Sequence, residues 1–264
     1  MKTTGIALGV VIALVVACGG EAPQSGEPES VPAVEEAVLA SGSVYTVIDV
    51  ADGGSIQGTV TFRGAVPTPS SVSIEEDVEV CGEARDVQWL QVGPGQGLAN
   101  VVVSLTDIRS GISIEGTVGT LVLDQKGCEF SPHVLIAPVG ATVNVLNNDP
   151  ITHSLHTAAF ANRPVDRAQP AELHSIDLTF AVAEKVKVRC DMHEWMSAWV
   201  VVIEHPYHAV TSASGGFVLD NVPPGTYTME VWHEDLGAVT QKVTVTAGGT
   251  ADVSVEMKEP GEAP

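Results

Sequence analysis

The chain reads as an all-β protein, and three observations carry that reading. Valine and threonine recur in short alternating or β-branched runs, 26 glycines and 16 prolines punctuate those runs, and extended helical periodicity is hard to find beyond the N-terminus. With 264 residues, 44% hydrophobic and 17% charged, the chain is long and apolar enough to bury one or two cores. The formal net charge is −21. No basic patch is available to neutralise phosphates, which excludes nucleic acid as a partner. Such acidity serves solubility, or it steers the protein towards a basic partner.

The elements follow in order. "MKTTGIALGVVIALVVACGG" has a lone Lys2 and an apolar stretch over residues 5–17, too short to span a bilayer, so residues 1–17 are expected to be an export signal rather than part of the fold. Its end, "LVVAC", resembles a bacterial lipoprotein signal. That resemblance implies cleavage before Cys18 and a diacylglycerol on its sulfur, an anchor of two or more acyl chains. The other reading is a plain signal peptide with an incidental cysteine. Loss of Lys2 takes the formal charge from −21 to −22. Residues 18–53, with Glu21, Glu27, Glu29, Glu35 and Glu36 and no lysine or arginine, are expected to be a solvated acidic tether. Order is expected to begin near Ser55, where "SIQGTVTF" gives the first clean alternation, and "GPGQGLANVVVSLTD" adds a turn and a second strand.

Far downstream, "SGGFVLDNVPPGTYTMEVWHE" reads as strand, turn over 221–225 and strand, and "QKVTVTAGGTADVSVEM" as two more strands. The Gly216-Phe217 pair and the run from Val222 through Pro223, Pro224, Gly225 and Thr226 to Tyr227 resemble a carboxypeptidase regulatory-like domain, a small Ig-like β-sandwich. That family opens with strands like "GTVTFRG" and "LANVVVSL", which here lie before residue 108. The resemblance therefore implies one discontinuous sandwich, 54–107 with 206–258, interrupted by an inserted domain over 108–205 and followed by a tail at 259–264. Two separate small domains are the alternative.

Chemistry concentrates in "VRCDMHEWMSAW". Cys190, His193 and Met196 would share a face of a helix, but the flanks, "TFAVAEKVKVRC" and "SAWVVVIEH", read as strands, which places the three on a turn. A thiolate, an imidazole and a thioether are soft and borderline ligands suited to copper, and a second histidine would complete a trigonal set with a weak axial methionine. In "PHVLIAPVGATVNVLNNDPITHSLHT" two strands and a turn lead to His153 and His156, both candidates for that imidazole. From about 118 to 204 the chain resembles a cupredoxin, a Greek-key β-sandwich, in particular the amicyanin and plastocyanin group. Carried over by position, the resemblance implies His153, Cys190, His193 and Met196 as ligands of one type 1 copper ion, with His156 outside the set. Ser154 stands where that group usually has asparagine.

Zinc is a poorer fit, because structural zinc sites take four strong ligands and have little use for methionine. His133, His174, His205, His208 and His233 lack ligand-like spacing. With Cys18 allotted to lipid and Cys190 to metal, Cys81 and Cys128 remain, an even pair expected to form a disulfide in an exported protein; two buried thiols are the other outcome. The expected function is one-electron transfer at the cell envelope, not enzymatic turnover. A redox partner, a cytochrome or another copper protein, would meet an exposed His193, and Trp195 would keep water away. A copper carrier, or a structural or glycan-binding surface lipoprotein, is the alternative.

Overall fold

A computed structural model describes residues 45–88 and 90–259. The expected signal, Cys18 and most of the expected tether lie outside these residues. The fold is all-β apart from short helical turns, and its strands form two β-sandwiches.

In the first sandwich, Gly216–Val222, Gly54–Phe62 and Thr250–Met257 make one sheet, and His208–Val210, Val102–Leu105, Gly225–His233 and Gly237–Val245 make the other, each in that spatial order. Alternation drives the packing. Ile56, Val60 and Phe62 point inward from one strand and meet Val103, Leu105, Met229, Val231 and Val243 from the opposite sheet. The earliest and latest of these strands pair in parallel from Ser55↔Thr250 to Phe62↔Met257. Tyr207 anchors the edge of this core. Its buried hydroxyl accepts from the Ile112 amide at 3.0 Å and donates to the Asn221 carbonyl at 3.0 Å, over Gly111, where any Cβ would collide with it.

The second sandwich is set between those strands in sequence. Ser175–Thr179, Thr142–Asn147, Val122–Gln125 and Phe130–Ser131 form one sheet; Asp166–Gln169, His153–Ala158, Lys185–Arg189, Ser197–Ile203 and Val134–Pro138 form the other. Leu123, Val143, Val145, Ile176, Leu155, Val186, Val188 and Val200 fill the space between.

Ser197–Ile203 explains why "SAWVVVI" carries almost no polar alternation. Val200 and Val202 belong to the second core, whereas Val201 and Ile203 face Val102 of the first sandwich. Around this seam Trp199 meets Trp232 edge-on at 4.9 Å and donates to Glu234 at 2.6 Å, Glu234 also bonds His133, and Lys185 pairs with Glu230 at 2.6 Å. Burial works against the Glu234 charge, but the bonds from His133 and Trp199 hold its pKa below the ordinary carboxylate range.

Two sequence expectations need correction. Order begins before Ser55: Thr46–Val47 pairs with Ser110–Gly111, and Tyr45 donates to the Ile112 carbonyl at 2.8 Å, so the tether cannot extend to residue 53. In addition, residues 70–87 join neither sandwich sheet. Ser70–Ser73 and Ala84–Val87 form a hairpin, its tip carries the one-turn helix α1 (Val78–Cys81), and Ile74 and Cys81 are buried in the second core. Cys81 is bonded to Cys128, with Cα atoms 5.3 Å apart.

Replacing Tyr207 by phenylalanine would leave the Ile112 amide and the Asn221 carbonyl without that partner. The expected loss is about 1–3 kcal/mol, read as a lowered urea midpoint with an unchanged slope.

Candidate metal centre

The centre is built at one end of the second sandwich. Residues 147–150 turn the chain out of Thr142–Asn147 towards His153. The buried Asn147 amide donates to the carbonyls of Ile151 and Gln169, both at 2.9 Å, while its oxygen accepts from the Asp149 amide at 3.0 Å. Gln169 in turn donates to the carbonyls of Val145 and Leu173 and accepts from Gln125 at 2.8 Å. These buried amides fix where His153 enters its strand.

On the other side, Lys185–Arg189 ends at Cys190 and the chain returns at Ser197. The Cys190 amide bonds the Met196 carbonyl at 3.1 Å, and the Met196 amide bonds the His193 carbonyl at 2.8 Å, closing the loop on itself. The Ser154 amide reaches across to the Cys190 sulfur at 3.2 Å. That bond joins the segment that carries His153 to the one that carries Cys190, through the backbone of Ser154.

His153, Cys190 and His193 converge, all three buried. His153 Nδ1 and His193 Nδ1 are 3.1 Å apart, and the Cys190 sulfur lies 3.9 Å from the first and 3.6 Å from the second. A point equidistant from these atoms in their plane is roughly 2.1 Å from each, within the ~2.0–2.3 Å span of metal–imidazole and metal–thiolate bonds. Met196 is 1% exposed at the end of the same loop, among the residues of this core.

The far nitrogens are also held. His153 Nε2 meets Asp149 at 2.9 Å, and His193 Nε2 meets Asp77 at 3.2 Å. A carboxylate accepts, so each Nε2 carries the proton and each Nδ1 presents its lone pair. Two lone pairs facing at 3.1 Å repel unless a cation or a proton lies between them. This donor set therefore fits a soft or borderline metal ion. Burial lowers the His153 pKa despite its bond to Asp149, which keeps the ring in the neutral, ligating form. Desolvation opposes the Asp149 charge, but amides of Cys128 at 2.8 Å and Gly127 at 2.6 Å, with His153, hold its pKa below the usual carboxylate range.

The two candidate upstream histidines are separated. His156 is half-buried on the other side of its strand and bonds Asp191 at 2.7 Å, away from the three converging donors. The remaining histidines lie elsewhere: His133 in the seam, His174 exposed, His205 and His208 ring to ring at 4.5 Å, and His233 buried, accepting from the Asp235 amide at 3.2 Å.

One expectation is overturned. His193 is not exposed: it is 1% accessible, because Asp77, at the foot of α1, covers its Nε2 edge and Trp195 lies 5.2 Å from its ring. Trp195 is itself pinned, donating to the Cys128 carbonyl at 3.0 Å. Asp77 and Asp149 were missed by sequence reasoning. Asp149 sits in "NNDP", which signals a turn and nothing more. Asp77 is 116 residues from its histidine, and only the Cys81–Cys128 pairing hinted that this stretch lies close by.

The carboxypeptidase regulatory-like domain family matches residues 195–258. That span includes Ser197–Ile203, which is hydrogen-bonded into the second sandwich, between Lys185–Arg189 and Val134–Pro138. Among solved structures, an amicyanin variant in the Cu(I) form is 23% identical, with 38% of this chain and 98% of that one covered at a TM-score of 0.30. A purple cupredoxin from Nitrosopumilus maritimus is 23% identical over 28% of this chain and 81% of its own, at 0.25. A copper-containing nitrite reductase from Thermus scotoductus is 22% identical over 31% of this chain at 0.30, and the match spans only 22% of the reductase. No curated protein matches the chain in sequence.

His153→Ala removes one corner of the donor triangle and is expected to abolish the thiolate-to-metal absorption of Cu(II)-loaded protein. His156→Ala should leave that band nearly intact. The opposite pattern would assign the ligand role to His156.

Proposed function

We propose that this chain is a mononuclear copper protein that carries single electrons. The observation that supports this most is the convergence of one cysteine sulfur and two imidazole nitrogens, buried and mutually 3.1–3.9 Å apart. Cys190, His153 and His193 would hold copper, with Met196 of the same loop as a weaker further donor, and the ion would supply a one-electron couple. The protein's part is to keep its own donors still. The Ser154 amide steadies the sulfur, Asp149 and Asp77 fix the rings, and the two sheets behind them resist rearrangement. Burial excludes water, so the donors meet the same surroundings in either redox state.

A carrier that hands over copper ions uses similar ligands but needs an open route to them. The cover over His193, bonded through Cys81 to Cys128, favours electron transfer over ion exchange. We place the protein at the cell envelope, anchored through Cys18 and spaced from the membrane by the acidic stretch that follows. Its partner is a basic redox protein, drawn by a formal charge of −22 once Lys2 is removed. No chemical turnover is proposed.

Purified protein loaded with Cu(II) is expected to show an intense blue or green thiolate-to-copper band that bleaches and returns on reduction and reoxidation. It should release copper to an external chelator slowly while the disulfide is intact. A colourless protein would end the proposal, and rapid release would favour the carrier. Cys18→Ser is expected to shift the protein out of the membrane fraction or block its processing; unchanged fractionation would remove the anchor.

A further inference from the structure

We propose that Asp77 is a positioning residue of the metal centre: a carboxylate brought by the hairpin of residues 70–87 to fix His193 and, together with Asp149, to bias the site towards divalent over monovalent ions. The proposal rests on the metal-binding reading above and extends it to an outer carboxylate.

Asp77 is not a loose surface side chain. Its backbone takes the left-handed conformation, φ 55° and ψ 27°, which aspartate tolerates better than most residues. Its carbonyl accepts from the amides of Val80 and Cys81, both at 2.9 Å. Cys81 is then bonded to Cys128, and Ile74, just upstream, is buried in the second core. The carboxylate is thus fixed at both ends of its short segment. It meets His193 Nε2 at 3.2 Å, the ring atom opposite the one that faces the thiolate.

The arrangement is doubled across the site, since Asp149 does the same for His153 at 2.9 Å. Each carboxylate orients its ring, fixes the tautomer and makes the ligating nitrogen more basic. Their charges add to that of the thiolate. A divalent ion nearly balances three negative groups, whereas a monovalent ion leaves two uncompensated charges in a largely buried site, where Coulomb terms are stronger than in water. The pair therefore favours Cu(II) over Cu(I) and lowers the reduction potential. Asp77, with 32% of its side chain accessible, is screened more than Asp149 at 5%, so its share is the smaller one.

The test uses the full chain with Asp77→Asn, which keeps the size and a carbonyl acceptor but removes the charge, and Asp77→Ala, which removes both. For Asp77→Asn the affinity ratio of Cu(II) to Cu(I) is expected to fall about tenfold, a potential rise of ~59 mV for one electron, with the visible band retained. In metal-free protein, nitrogen NMR of His193 should report protonation at Nε2 in the wild type and in Asp77→Asn, and a mixture of tautomers in Asp77→Ala. An unchanged potential in Asp77→Asn, or a His193 ring indifferent to Asp77→Ala, would overturn the proposal. If the wild type takes up no copper, the electron-transfer reading fails, and the ring signature alone decides whether Asp77 positions His193.

Discussion

Cys128 is bonded in four directions, and the arrangement of the candidate metal centre depends on all of them. Its sulfur is joined to Cys81 and so to the segment that carries Asp77. Its amide donates to Asp149, which holds His153. Its carbonyl accepts from Trp195, beside His193, and from Arg85 at 2.8 Å on the returning strand of the hairpin. The residue itself has positive φ, 57°, following Gly127 at 63°, a tight turn that directs successive amides at one carboxylate. Both outer carboxylates and the cover over His193 are therefore referred to a single point of the backbone.

Fixing this point has an energetic reason. Three lone-pair donors crowded into a buried site repel one another, and desolvation penalises each charge nearby. Such a site persists only if the surrounding bonds outweigh the repulsion. Here they are numerous and mostly backbone: two amides on Asp149, one on the Cys190 sulfur, and the paired carbonyls of the 190–196 loop. The network of Asn147, Gln169 and Gln125 does the same for the turn behind His153. A frame of this kind holds the geometry in advance, so the binding of an ion there would require little rearrangement.

How much of this could be read in the sequence follows from the range of each interaction. Alternation over "SIQGTVTF" and the flanks of the 190–196 loop report local burial, and the observed strands at Gly54–Phe62 and Lys185–Arg189 are where that pattern lies. Cys190, His193 and Met196 stand out because three unusual side chains fall within seven positions. His153 needed the turn before it. Beyond that range the signal fades. Asp149 looks like any turn aspartate, and nothing in "EEDVEVC" distinguishes Asp77 from its acidic neighbours. The burial of His193 depends on a hairpin that interrupts the first sandwich and packs against the second. Even the apolar run of Ser197–Ile203 shows only that both faces are covered, not that a different core covers each.

The parallel pairing of Gly54–Phe62 with Thr250–Met257 has a mechanical consequence. Tension applied between the two ends of the described chain would first undo the two-residue bridge at Thr46–Val47. It would then pull these two strands lengthwise in opposite directions. Hydrogen bonds along a parallel pair loaded in this way share the force and must yield together, instead of opening one at a time as in a hairpin peeled from its end. The whole of the second sandwich lies in the loop that this clasp closes. While the clasp holds, a pull on the chain passes the candidate metal centre by, and the triangle of His153, Cys190 and His193 keeps its shape under load.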